Sequence, residues 1–157
     1  MSQLIVNGRP IIFGAAGNYK AWAVLGWSQD PDQADITWMD GPVASLEFVT
    51  PAPLVDLQMT IKLAPFDGGS AKQQLYVFLN GLFVDLWSPV TKGFCEYSTL
   101  IRKSYFSTAK DATNLLNFVA PNAISPTEVG KGPDQRKLSF AFMEFTLLDP
   151  TRRARLA

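Results

Sequence analysis

Two tryptophans and several aspartates in the first quarter of the chain are the residue types best suited to binding a polar ligand. Trp27 and Trp38 flank the acidic segment 30–35, and Asp40 lies shortly after the second tryptophan. An exposed indole ring can stack on the apolar face of a pyranose, while a neighbouring carboxylate accepts hydrogen bonds from sugar hydroxyls. Trp27, Trp38 and Asp40 are therefore candidate glycan contacts. The alternative is that both indole rings belong to the core, where large aromatic side chains are usually found.

The acidic segment also supplies the oxygen atoms that calcium prefers. Its aspartates, Asp30, Asp32 and Asp35, lack the loop glycine and the terminal glutamate of an EF-hand. The pattern favours a solvated acidic turn, and we predict neither a metal site nor a cofactor.

The chain contains no histidine, and this removes much of ordinary enzyme chemistry. A serine or cysteine nucleophile has no imidazole base to activate it, and no imidazole can bind a metal. Carboxylate catalysis needs two facing acids, but the 14 acidic residues single out no pair. Cys95 is the single cysteine and offers neither a disulfide nor a thiolate cluster. We expect a protein without catalytic residues that is not an enzyme.

A second group of candidates lies in a predicted hairpin formed by residues 75–87. Asn80-Gly81 between two runs of β-forming residues is typical of a two-residue type I′ turn, in which both positions need positive φ. An uninterrupted register pairs Leu79 with Leu82 and Tyr76 with Asp85. One face is then aliphatic, and the other carries Tyr76, Phe78, Phe83, Asp85 and Trp87. Tyr76, Asp85 and Trp87 are candidate ligand contacts; the alternative is that these aromatic rings pack under a loop.

Strand patterns dominate the rest of the chain. Residues 55–63 alternate strictly between apolar and polar, and residues 138–148 are apolar on both faces, as in a central strand. The other predicted strands are 11–13, 22–25, 44–50, 75–79, 82–87, 97–101 and 115–119. This spacing predicts an all-β fold, an antiparallel β-sandwich of the jelly-roll type with one or two short helical turns. We expect one domain over residues 1–150 and a basic tail, or the start of a linker, over 151–157.

Two motifs precede the predicted central strand. Ser125 and Glu128 have the spacing of a capping box and predict a short helical turn, and residues 111–116 are a weaker candidate for a second one. Asp134 and Arg136 fit either an ion pair that anchors the loop or a clamp on a ligand, and we favour the anchor.

The overall charge and hydropathy exclude other classes of partner. The 14 basic and 14 acidic residues balance, whereas a nucleic-acid-binding protein normally shows a basic patch. The apolar runs are far shorter than the ~20 residues of a membrane span. The amino-terminal residues 1–8 do not resemble a signal peptide, which favours a cytoplasmic location.

Three segments together carry a family resemblance: Gly26-Trp27-Ser28 with Trp38-Met-Asp-Gly41-Pro-Val-Ala44, Val77-Phe-Leu-Asn80-Gly81, and residues 118–138. They resemble the jelly-roll accessory domains, similar to carbohydrate-binding modules, that are attached to bacterial glycosyltransferases and other proteins handling surface polysaccharide. The resemblance covers about residues 20 to 148. Its most specific part is the last segment, in which Asp134-Gln-Arg136 stands where the family often has Asp-Pro-Arg.

This resemblance implies a noncatalytic carbohydrate-binding accessory module of a bacterial polysaccharide-processing system. The ligand would be a bacterial polysaccharide or oligosaccharide, and a glycosyltransferase domain would be fused to the module or associated with it. The alternative is a structural or protein-interaction sandwich that docks on a partner domain without binding sugar. The aromatic face of the hairpin would supply such a docking surface.

Overall fold

The computed structural model describes residues 9–29, 33–69 and 71–155, with side chains described up to residue 152. Nine strands in these ranges form an antiparallel β-sandwich, which confirms the predicted fold class. The strands are β1 Ile11–Ile12, β2 Thr37–Asp40, β3 Val43–Val49, β4 Leu57–Pro65, β5 Leu75–Leu79, β6 Leu82–Trp87, β7 Cys95–Ile101, β8 Thr113–Val119 and β9 Leu138–Leu148. Short 3-10 helices span Tyr19–Ala21, Lys103–Tyr105 and Thr127–Val129, and helix α1 spans Pro150–Arg155.

The core lies between a five-stranded and a four-stranded sheet. The first has the order β1-β9-β4-β7, with β2 also pairing with β9, and the second has the order β3-β8-β5-β6. The alternation predicted for β4 is confirmed, because its apolar side chains point inward and are buried. The predicted bounds of β9 are confirmed as well. In its first half both faces are covered, since Ser139 and Ala141 are buried together with Phe140 and Phe142.

The short elements differ from the sequence predictions. Segment 22–25 forms a single bridge, Ala23 to Leu46, beside β3 rather than a full strand. Strand β2 was not predicted, because its four residues are too short to show a period of two. The helical turn considered for residues 111–116 is wrong, since most of this segment belongs to β8. The other predicted turn is confirmed: Ser125 Oγ accepts a hydrogen bond from Glu128 N, and Glu128 Oε2 accepts one from Ser125 N.

The hairpin confirms its predicted turn but not its full register. Asn80 and Gly81 have φ values of 52° and 80°, as a type I′ turn requires. The pairs nearest to the turn are also as predicted, but a β-bulge then places Val77 opposite Asp85 and Leu75 opposite Trp87. A bulge adds one residue to one strand, so every side chain beyond it changes face. The prediction that Asp85 and Trp87 lie on the outer aromatic face is therefore wrong.

The carboxyl-terminal segment begins with regular structure. Helix α1 includes the first residues of the segment predicted to be a basic tail. Asp149 stabilises its start, because Oδ1 accepts hydrogen bonds from the backbone N–H groups of Thr151 and Arg152. No helix in the described part of the chain is long and apolar enough to span a membrane.

Candidate functional site

Trp27 is a core residue. Its side chain is 5% exposed, its Nε1 donates a hydrogen bond to Ser45 O at 2.9 Å, and its ring lies 4.9 Å from that of Phe142 and 5.1 Å from that of Phe13. The indole ring is therefore enclosed by aromatic side chains of the core. The interpretation of Trp27 as an exposed glycan contact is therefore wrong. The structure shows the alternative, in which Trp27 is a core residue.

Trp38 and Asp40 lie at one end of the sandwich, where β2 ends. Trp38 is half-buried on the outer side of the five-stranded sheet, and its ring meets Phe66 edge to face with 6.0 Å between centroids. Asp40 is exposed, and its Oδ1 accepts a hydrogen bond from Lys137 N at 3.0 Å. Trp38 therefore supports the loop that follows β4, while Asp40 fixes the start of β9.

Asp85 and Trp87 lie on the inner side of the sandwich edge, where β6 faces β7. Asp85 Oδ2 accepts a hydrogen bond from the Tyr97 hydroxyl at 2.5 Å, and the Trp87 ring stacks on that of Tyr97 at 4.9 Å. Burial and the neighbouring Asp85 carboxylate raise the pKa of Tyr97 above its ordinary value. These contacts join the two sheets. They favour a structural role for Asp85 and Trp87 over the predicted role as ligand contacts.

Tyr76 remains on the outer face of the four-stranded sheet, as predicted. Phe78 and Phe83 share this face and meet edge to face with 5.8 Å between centroids. Tyr76 and Phe78 are half-buried, whereas Phe83 is 51% exposed. We call this group, together with Leu86, the outer sheet face.

A concave site lies at the same end of the sandwich as Trp38. We define the loop cleft as the groove of about 150 Å³ between the loop that follows β4 and the loop that follows β6. It is lined by residues 65–69, 71–73 and 89–92. Phe66, Pro89 and Val90 supply apolar surface, and Val90 is 90% exposed at the rim. The cleft thus combines apolar walls with polar groups, as sites for small polar ligands commonly do.

Gln73 is the buried polar residue of the loop cleft. Its side chain is 4% exposed, and its Nε2 donates a hydrogen bond to Asn122 O at 3.0 Å. Its Oε1 is buried and has no hydrogen-bond partner among the described residues. An unpaired buried carbonyl oxygen costs free energy, which a ligand hydroxyl or amide can recover by donating to it.

The charged groups of the loop cleft gather around Asp67. Lys92 Nζ lies 3.0 Å from Asp67 Oδ2, and Lys131 Nζ donates a hydrogen bond to the backbone carbonyl of Asp67. The hydrogen bond and charge of Lys92, with a smaller effect of Lys131, lower the pKa of the Asp67 carboxyl. Lys72 lines the same cleft, so three ammonium groups accompany one carboxylate.

The loops around the cleft are tied together by side-chain contacts. Asp134 and Arg136 form the ion pair predicted as an anchor, at 2.7 Å, and Arg136 Nη1 donates a hydrogen bond to Ser28 Oγ at 2.9 Å. The hydrogen bonds from Arg136 lower the pKa of Asp134. Asn122 Nδ2 donates to Lys72 O at 2.7 Å, which links the long loop before β9 to the cleft wall. These contacts restrain the loops that form and flank the cleft.

Sequence reasoning did not identify Phe66 or Gln73. Phe66 precedes Asp67-Gly68-Gly69, which the sequence marks only as a turn. Gly68 has a specific role here, because a Cβ added to it would come within 2.6 Å of the Phe66 ring. A single glutamine before a strand carries no pattern, so only the fold reveals that Gln73 is buried.

A second hollow lies at the opposite end of the sandwich. It measures about 600 Å³ and is lined by residues 49–52 and 108–111. Thr50 Oγ1 is buried there without a partner among the described residues, but no aromatic side chain lines this hollow. The loop cleft is therefore the better candidate for a sugar, which binds through its ring faces as well as its hydroxyls.

The structure provides no metal site among the residues it describes, since no three His, Cys, Asp or Glu side chains gather there. Asp30 and Asp32 of the calcium hypothesis lie outside the described residues, and Asp35 is exposed.

Comparisons with known proteins identify the fold. No family model matches the chain, and no curated protein matches it in sequence. Among solved structures, it is similar to the C-terminal CBM6 of LamC, a marine laminarinase from Zobellia galactanivorans, with 8% identity and a TM-score of 0.52 over 90% of this chain and 98% of that one.

Two further similar structures are family 35 carbohydrate-binding modules. The one from Clostridium thermocellum has 12% identity and a TM-score of 0.48 over 88% of this chain and 98% of that chain. The one from an environmental isolate has 13% identity and a TM-score of 0.46 over 91% and 86%, respectively. At such low identity the likeness concerns the fold alone. The chain has the jelly-roll β-sandwich fold that is also found in carbohydrate-binding modules.

Proposed function

We propose that this protein is a noncatalytic carbohydrate-binding module that holds a bacterial polysaccharide or oligosaccharide in its loop cleft. The observation that carries the proposal is the buried, unpaired Oε1 of Gln73 in the wall of a cleft that also exposes apolar surface. Sugars need this combination, because each pyranose has apolar faces and a rim of hydroxyl groups.

The binding mode follows from the two walls of the cleft. A sugar ring packs against Phe66 and the rim residues Pro89 and Val90, and one hydroxyl donates a hydrogen bond to Gln73 Oε1 when a rotation of the Gln73 side chain turns this buried oxygen toward the cleft. Asp67 and Lys92 are exposed at the edge of the cleft and exchange their mutual contact for contacts with other hydroxyls. Such a site is shallow, so binding is weak and gains strength when the module is tethered to a catalytic domain. A fused or associated glycosyltransferase is the proposed partner.

Calorimetric titration with oligosaccharides from bacterial surface polysaccharides tests this proposal. Phe66→Leu keeps apolar volume but removes the ring, and Gln73→Leu removes the free acceptor. Each should weaken binding by about 3- to 10-fold, since aromatic contacts and hydrogen bonds each contribute about 1 kcal/mol. Phe83→Leu is the control, because it alters an exposed ring outside the cleft. Equal affinities for all four proteins, or no binding by the wild type, would refute the assignment.

A second function is favoured by the outer sheet face. Val43, Val119, Tyr76 and Leu86 lie in one row across the four-stranded sheet, and the exposed Phe83 lies beside them. An apolar strip of this kind is typical of a docking surface on a partner domain. The variant Phe83→Asp separates the two functions: it should abolish docking or self-association in light scattering, while sugar binding by the loop cleft should be unaffected.

A further inference from the structure

The balance of charge in the loop cleft differs from that of the whole chain. The chain carries 14 basic and 14 acidic residues, whereas the cleft combines Lys72, Lys92 and Lys131 with Asp67. In the loop that contains Lys131, the charged side chains of Glu128 and Asp134 are paired with Lys137 and Arg136. Among the described residues, the cleft lining together with Lys131 therefore has two more positive than negative charges.

Two of these ammonium groups contact the same residue. Lys92 contacts the carboxylate of Asp67, and Lys131 contacts its backbone carbonyl. Both Nζ atoms are therefore only a few ångströms from one point on the cleft wall, and Lys72 lies on the same wall. One carboxylate does not balance three ammonium groups, so the described side chains of this region favour an anion over a neutral ligand.

We infer that the loop cleft selects glycans with an anionic substituent, whose negative oxygens accept hydrogen bonds from Lys92 and Lys72. This inference rests on the proposed function, because the sugar ring still packs on Phe66 and donates a hydroxyl to Gln73 Oε1. A carboxylate, a sulfate ester and a phosphate all present such oxygens. Lysine binds them as a point charge rather than through a planar fork, so the chemistry common to all three is the anionic oxygen.

The test uses pairs of probes that differ only in charge. Tetragalacturonic acid is compared with its methyl ester, a sulfated carrageenan tetrasaccharide with its desulfated form, and a phosphorylated oligosaccharide with its dephosphorylated form. At least one charged probe should bind about 10-fold tighter than its neutral partner, and the arm that does so identifies the anion. The preference should decrease when the salt concentration rises from about 0.01 to about 0.5 M, because the Debye length falls from about 30 Å to below about 8 Å.

Substitutions assign the preference to individual lysines. Lys72→Gln should weaken binding of the charged probe by about 3-fold and leave the neutral probe unchanged, whereas Lys92→Gln should weaken binding of the charged probe more than that of the neutral probe, because Lys92 also contacts sugar hydroxyls. Asp67→Asn should strengthen binding of the charged probe, because Lys92 loses its competing carboxylate. Lys110→Gln is the matched control, since Lys110 is an exposed lysine beside the hollow at the opposite end.

The outcomes separate this inference from the proposed function. If neutral and charged probes bind equally and Phe66→Leu weakens both, the cleft binds sugar but the anionic preference is refuted. If Asp67→Asn weakens binding of the charged probe, the role of the lysines is also refuted. If no probe in either series binds, both the inference and the proposed function are overturned.

Discussion

The contact between Asp85 and Tyr97 provides the sharpest test of the hairpin register. Without the bulge, Asp85 would point to solvent on the outer sheet face, and Tyr97 would have no partner there. With the bulge, the Asp85 carboxylate accepts the hydrogen bond of a tyrosine that is 5% exposed. We predict that Asp85→Ala and Tyr97→Phe both lower the free energy of unfolding and that their effects are not additive.

The expected size follows from the chemistry of the bond. A hydrogen bond to a charged group contributes about 1.5 to 3 kcal/mol, and Asp85 is only half-buried, so we expect a coupling energy of about 1 to 2 kcal/mol. Asp85→Ala should be the more harmful change, because it takes the carboxylate acceptor away from the buried Tyr97 hydroxyl. In a protein of this size each kcal/mol lowers Tm by about 2 to 4 °C.

A double-mutant cycle measured by urea and thermal unfolding checks this prediction. Tyr76→Phe is the matched control: it removes a tyrosine hydroxyl from the outer sheet face and should change stability by less than about 0.5 kcal/mol. Effects of Asp85→Ala and Tyr97→Phe that add within about 0.5 kcal/mol would refute the contact, and with it the bulged register.

Three further predictions concern pH and the hairpin turn. Tyr97 has a raised pKa in the folded protein, so its contribution to stability should be complete below the unfolded value of about 10 and lost as the pH rises above it. Alkaline unfolding curves measure this loss, which should be smaller in Tyr97→Phe than in the wild type. Asp134 has a lowered pKa because Arg136 donates hydrogen bonds to it, so its contribution should be present above about pH 4 and lost as the pH falls further; an unchanged acid profile in Asp134→Asn would contradict this. Gly81 has a φ of 80°, so Gly81→Val should lower the free energy of unfolding by about 1 to 2 kcal/mol, whereas Leu82→Val at the next, exposed position should have little effect in the same denaturation assay.

Strong local patterns determined most of the fold. The alternation in β4 identified a strand with one buried face, and the apolar run of β9 identified a central strand, since side chains on a strand repeat with a period of two. Asn80-Gly81 determined the turn, because few other residue pairs accept positive φ at both positions. The capping box of Ser125 and Glu128 was equally local. Each of these features depends on residues close together in the sequence, and the sequence alone was sufficient to predict it.

The tertiary structure decided which side chains form a site. The bulge near Val84 is stabilised by packing across the sandwich, and it moved Asp85 and Trp87 from the outer face to Tyr97. Trp27 is buried because Phe13 and Phe142, far away in the sequence, surround its ring.

The loop cleft depends on contacts over similar distances. Gln73 meets Asn122, and Lys131 meets Asp67, across 49 and 64 positions of sequence. The burial of Gln73 and the contacts between residues so far apart in sequence arise only when the chain folds. The sequence by itself determines only the local strands and turns that make these contacts possible.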